Sequence, residues 1–153
     1  MSRIEETLAK LGITLPTPAN PVANYVPYVI TGNLVFISGQ ISVAPGGPIK
    51  GRLGEDMSLE DGVAAARVCG LNLIAQLKAA CGGDLSRVKR VVKLGGFVNS
   101  APTFFDQPKV INGASDLMVE VFGEAGKHSR AAVGSPSLPL GVAVEVDGVF
   151  EIA

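Results

Sequence analysis

Histidine occurs once in this 153-residue chain, at His128, cysteine only at Cys69 and Cys81, and tryptophan not at all. One imidazole and two separated thiols cannot build a usual zinc site. The two cysteines fall in one expected helix, roughly 18 Å apart along its axis and beyond disulfide reach. They read as small core residues of a reducing compartment. Charge is sparse and balanced: 13 Lys and Arg face 14 Asp and Glu, for a net charge of −1. No global field would draw in nucleic acid or an anionic membrane, and aromatics at 5% offer few stacking platforms for RNA. The one basic cluster, Arg87, Lys89, Arg90 and Lys93, reads as a solvated sheet end. No apolar run reaches about 18 residues, and the opening Met-Ser-Arg-Ile-Glu-Glu lacks the apolar core of a signal peptide. The expectation is a cytoplasmic protein that does not meet a membrane. A phosphate-binding loop, a dinucleotide fingerprint and a Gly-x-Ser-x-Gly elbow are all missing. What remains is chemistry without cofactor or metal.

Hydrophobic residues are what the chain has in plenty. Only 18% of residues are charged and mean hydropathy is +0.37, too few polar groups to cover both faces of a sheet. One domain over residues 1–153, associated with copies of itself, is the natural arrangement. Residues 1–20 read as an N-terminal extension, with a short helix over 2–11 capped by Ser2. A strand is expected from Asn24 to Ile30, a turn at Thr31-Gly32-Asn33, and a return strand from Leu34 to Gln40. The glycine- and proline-rich stretch 44–56 favours a surface loop, either a cover for a cleft or a tolerated insertion. Ser58, with Asp61 three positions on, opens a long helix to about Ala80. Its buried face carries Val63, Ala66, Gly70, Leu73, Ile74, Leu77 and Cys81, with Glu60, Arg67, Asn72 and Gln76 largely outside it. A strand over 87–98 follows, with Val88, Val92, Leu94 and Val98 on one side, Val91 and Phe97 on the other, and a bulge or close approach at Gly95-Gly96. Asp106 and Pro108 start a second helix, buried through Ile111, Ala114, Met118, Val121 and Phe122. The result is an α+β fold with two helices on one face of a mixed sheet.

The closing stretch from His128 to Ile152 carries the most chemistry. Val142, Val144, Val146, Phe150 and Ile152 alternate with Glu145, Asp147 and Glu151, a strand with one apolar face. Ser129 to Val133 reads as a shorter strand, and the Pro136/Pro139/Gly141 turn can bring the two side by side. Arg130 and Glu145 are then neighbours. A guanidinium matches a carboxylate or phosphate with a planar fork of donors, and a Glu accepts a proton or orients water. The pair is either an anion-gripping site or a structural salt bridge.

Arg130 before small and apolar residues, Leu138-Pro139, and Val144-Glu145-Val146 near the C-terminus resemble the closing signature of the YjgF/Rid family of imine deaminases, also known as L-PSP endoribonucleases. Gly32-Asn33-Leu34-Val35-Phe36-Ile37-Ser38-Gly39-Gln40 is similar to that family's early strand. The likeness covers roughly residues 20–153. It implies a chorismate-mutase-like fold, a homotrimer with sheets facing inward, and active sites in clefts between subunits. It further implies that Arg130 binds the carboxylate of a 2-imino or 2-enamino acid and that Glu145 positions water. Tyr25, Ser38 and, more loosely, Asn112 match other family site positions, each with a structural alternative: packing, a strand-end hydrogen bond, and helix surface. The backbone of Ala131 and Ala132 is placed to polarise the substrate nitrogen or the water. Where many members carry Pro and Cys around the Arg, His128 and Ala132 stand here, so no reactive thiol is present. His128 is either a polar pocket wall or a surface residue. The rival readings are a trimer that binds small carboxylates without catalysis, and an endoribonuclease that inhibits translation.

Overall fold

The computed structural model describes residues 2–21 and 23–153. The chain runs α1 (Arg3–Lys10), β1 (Tyr28–Thr31), β2 (Leu34–Ile41), β3 (Val43–Ala44), β4 (Gly47–Pro48), α2 (Leu59–Ala80), β5 (Val88–Asn99), α3 (Gln107–Phe122), β6 (Ser129–Ser135) and β7 (Val144–Ile152). One mixed sheet has the order β1-β2-β7-β5-β6, and β3 and β4 form a small hairpin of their own. α2 packs on β7 and β2, α3 on β5 and β6, and the helices pack on each other. The α+β arrangement with both long helices on one sheet face is therefore as expected.

The alternation read from the C-terminus becomes the middle of the sheet. Val144, Val146, Phe150 and Ile152 are buried under the helices while Glu145, Asp147 and Glu151 face the other way. Each buried side chain of this size contributes about 1.5–3 kcal/mol. On β5 the alternation is broken by register shifts at Val88/Arg90 and Val91/Lys93. Val91, Leu94 and Val98 consequently share the buried face, and Val92 does not join them as the unbroken pattern suggested. The Gly95-Gly96 pair is a place of close approach: a Cβ on Gly95 would run into the Asp147 carboxylate, and one on Gly96 into Ile111.

α2 begins where its cap predicts, with the Ser58 hydroxyl accepting from the Asp61 N–H at 3.1 Å. By length and hydropathy this 22-residue helix passes for a membrane span; here it is the core helix, laid against the sheet and α3. Small residues set the helix spacing. A Cβ on Gly113 of α3 would collide with the Val63 carbonyl of α2, and one on Gly70 would lie 2.8 Å from Leu117. Gln76, assigned by spacing to the outer face, is buried. The N-terminal segment crosses over it, and its amide donates to the Ala19 carbonyl at 2.7 Å.

Three expectations near the site are corrected. The first strand starts only at Tyr28; Tyr25 lies in the bend before it, since Pro27 has no N–H to give a ladder. The 44–56 stretch is no simple surface loop, because it holds the end of β3 and all of β4 and drives Leu53 into the core with no exposed area. The largest correction concerns the closing strands. β6 runs parallel to β5, with Leu94 opposite Arg130, and β7 runs antiparallel on β5's other side, with Leu94 opposite Gly148. The crossover through α3 makes β6 parallel to β5 and sets β5 between β6 and β7. The segment between β6 and β7 therefore passes over the end of β5 and makes no hairpin.

Candidate functional site

Arg130 and Glu145 do not meet within one chain. β5 separates their strands, a distance of about 9.5 Å, and they project to opposite faces: Arg130 toward α3, Glu145 to the helix-free face. They form no salt bridge with each other within one chain. Two groups of site residues result, one around each side chain.

The first group is built on α3 and β6. Arg130 Nη1 donates to Asn112 Oδ1 at 2.9 Å and to Ser115 Oγ at 3.0 Å, and Nη2 donates to the Pro108 carbonyl at 3.1 Å. Asn112 is thus brought to Arg130. Ser115 was missed; it lies three residues beyond Asn112, and helical periodicity puts such a pair on one face. All three acceptors are neutral, and no carboxylate lies within ion-pairing distance of Arg130 among the described residues. Nε–H, one of the five guanidinium donors, has no acceptor among them. His128 is half-buried beside α3. Its Nε2 is 2.9 Å from Ser115 Oγ and its Nδ1 is 2.6 Å from the Gly126 carbonyl. Ala131 and Ala132 continue β6, the edge strand of the sheet, opposite Gly95 and Gly96. An edge strand leaves alternate backbone groups without a ladder partner, so one of these two residues can offer a main-chain donor.

The second group is built on β2, β7 and the bend before β1. The β2–β7 register shifts between Ile37 and Gln40, a bulge at Ser38-Gly39, where bulges commonly re-aim side chains. Ser38 donates to the Val26 carbonyl at 2.8 Å, and its N–H donates to the Pro27 carbonyl at 2.9 Å. These bonds fasten the bend that carries Tyr25. Tyr25 is 54% exposed and lines a cavity of about 630 Å³ with Leu15, Pro16, Pro21, Gly39 and Leu140. Leu140, at φ 60, holds a left-handed conformation that side chains disfavour. Glu145 presses against Gly39 on the neighbouring strand, where a Cβ would fall on its carboxylate. Burial, and secondarily the negative charge of Asp147, raise the Glu145 carboxyl above the ordinary range. Burial raises Asp147 too, partly offset by the Gly95 N–H and by Lys93. A carboxylate moved toward neutrality is a better proton acceptor at working pH.

The helix-free face leaves Val29, Phe36 and Val133 between 42% and 53% exposed. Among the described residues no group of three metal-ligating side chains converges.

Comparison with known proteins places this architecture. Residues 5–151 match the family described as YjgF/chorismate mutase-like, putative endoribonuclease. Protein TCP17 of Trypanosoma cruzi is 51% identical over 152 residues, covering 98% of this chain and 94% of its own length. The crystal structure of a putative endoribonuclease from Shewanella oneidensis is 41% identical, covers 99% of this chain and 100% of its own, and superposes with a TM-score of 0.94. Escherichia coli TdcF, crystallised with bound serine, is 25% identical over 90% of this chain and 94% of its own, with a TM-score of 0.61. The family match and these relatives span nearly the whole fold, from α1 to β7: the chain belongs to the YjgF/chorismate mutase-like family.

Proposed function

We propose that this protein hydrolyses 2-imino or 2-enamino acids to 2-keto acids and ammonia, without a cofactor, in clefts that two copies of the chain complete together. The observation that carries the reading is Arg130. A permanently charged guanidinium, half-buried and held by neutral acceptors only, with a donor left over, is a receptor for an anion supplied from outside. A substrate carboxylate fits it. An enamino acid first tautomerises to the imine, a proton passing from nitrogen to carbon; water then adds to the imine carbon, the C–N bond breaks, and the protons of that water end on the departing nitrogen as the new carbonyl forms. Glu145, raised toward neutral pH, suits the task of orienting and deprotonating that water.

Arg130 and Glu145 point to opposite faces of one sheet, so a site containing both needs the Arg130 side of one copy against the Glu145 and Tyr25 side of another. In a homotrimer with its sheets inward, the edge strand β6 of one copy would border the helix-free face of the next, and Val29, Phe36 and Val133 would be covered. Imines of amino acids already hydrolyse in water, so orientation by the guanidinium and one placed water is enough to accelerate them.

The test adds the purified protein to an amino-acid oxidase reaction and times 2-keto acid release. Faster release that Arg130→Ala abolishes is expected; release at the uncatalysed rate would remove the deaminase reading. TdcF's bound serine favours one alternative, a trimer that binds small carboxylates without turning them over. Pyruvate binding without catalysis would identify that case. RNA cleavage lost on Arg130→Ala and Glu145→Gln would instead assign nuclease activity to this site.

A further inference from the structure

We propose that His128, acting through Ser115, holds the Arg130 guanidinium in its anion-gripping pose, which makes His128 a positioning residue; the inference rests on the reading of Arg130 given above. The direction of each hydrogen bond follows from what each group can do. The Gly126 carbonyl only accepts, so His128 Nδ1, 2.6 Å away, carries the ring proton. In the neutral ring Nε2 is then a bare acceptor, and at 2.9 Å it takes the Ser115 hydroxyl hydrogen. With that hydrogen committed, the Ser115 lone pairs turn to Arg130 Nη1 at 3.0 Å. The relay starts from fixed backbone. Gly126 is buried, and a Cβ there would collide with the Met118 carbonyl and lie 2.9 Å from Val119 Cα, so its backbone lies close against α3.

Without the imidazole the Ser115 hydroxyl has another partner. Serines within helices donate readily to the carbonyl one turn back, and a hydroxyl rotated that way no longer presents the same lone pair to Nη1. Asn112 Oδ1 and the Pro108 carbonyl still hold the guanidinium at two points. The relay adds the third, which settles the orientation of the fork. A guanidinium free to rock would grip a carboxylate less well in ground state and transition state alike, so the loss falls on binding and spares the chemical step.

The experiment titrates the full chain with pyruvate by calorimetry and follows imino-acid hydrolysis in parallel. His128→Ala and Ser115→Ala are each expected to raise the pyruvate Kd and the KM about five- to ten-fold while kcat stays within about two-fold. The double variant is expected to be no weaker than Ser115→Ala alone, because both act along one path. His128→Gln, whose amide oxygen can take the Ser115 hydrogen, is expected to recover most of the affinity; melting temperatures show that every variant is folded. Wild-type affinity in Arg130→Ala would overturn the anchor itself. Lost affinity in Arg130→Ala, with wild-type affinity in His128→Ala and Ser115→Ala or with additive losses in the double variant, would overturn the positioning role and leave the anchor standing.

Discussion

Gly39 and Glu145 share one space: the side chain that the glycine lacks is the room that the carboxylate fills. Strands β2 and β7 bring them together, and the bulge at Ser38-Gly39 aims the bare Cα at Glu145. Gly39→Ala should push the carboxylate off its place. Hydrolysis is expected to fall at least about ten-fold while overpacking costs only about 1–3 kcal/mol. Kinetics paired with thermal melts separate the two effects, and full activity in a folded Gly39→Ala protein would show that Glu145's position does not matter.

Arg130→Lys should behave nearly as badly as Arg130→Ala. An ammonium is a point charge and cannot satisfy Asn112, Ser115 and the Pro108 carbonyl while offering a side-on fork. Loss of a charge-assisted anchor of about 2 kcal/mol corresponds to roughly a 30-fold rise in pyruvate Kd. Calorimetric titration of both variants measures it.

Glu145 also predicts a pH dependence with a definite sign. Its carboxyl is raised by burial and by Asp147, so the folded chain holds that proton more tightly than the unfolded chain. Keeping the group ionised at neutral pH therefore costs stability. The cost disappears as pH falls through the raised value, and it is gone below the ordinary carboxylate range of about 4. Glu145→Gln should raise the melting temperature at pH 7 and give no gain near pH 4. Activity should run the opposite way in the wild-type protein, declining as acid protonates the base. Melts and rates across that window test both statements.

Gly113→Ala probes the contact between the two helices. The new methyl would land on the Val63 carbonyl, and a backbone cannot swing aside as a side chain can. A loss toward the upper end of the 1–3 kcal/mol cost of overpacking, or about 6–10 °C in melting temperature, is expected. An unchanged melting temperature would mean that α2 and α3 do not cross so closely.

Phe36→Lys tests the association that the proposed site requires. Phe36 is 42% exposed on the helix-free face and takes no part in the hydrogen bonds of Arg130. Sedimentation should show trimers in the wild-type protein and a shift toward monomers in the variant, with activity lost in step. Wild-type monomers with full activity would refute a site shared between copies.

The sequence by itself determined every element whose signal is local. The two-period of Val144 to Ile152, the Ser58 cap, the Gly32-Asn33 turn and the α3 stripe from Ile111 to Phe122 all appear where the residues placed them, because each depends on neighbours a few positions away. The resemblance marked Arg130, Tyr25, Ser38, Asn112 and Glu145 by position. Tertiary structure decided how they are grouped. Strand order is a long-range property: the α3 crossover makes β6 parallel to β5 and inserts β5 between β6 and β7, so the expected Arg130–Glu145 pair comes apart. Bulges in β2 and β5 reverse the faces that strict alternation would assign, and the N-terminal segment buries a Gln76 that helical spacing left outside. Ser115 shares its helix face with Asn112, a relation that spacing does encode, but its meeting with His128 and Arg130 depends on how α3 packs against β6.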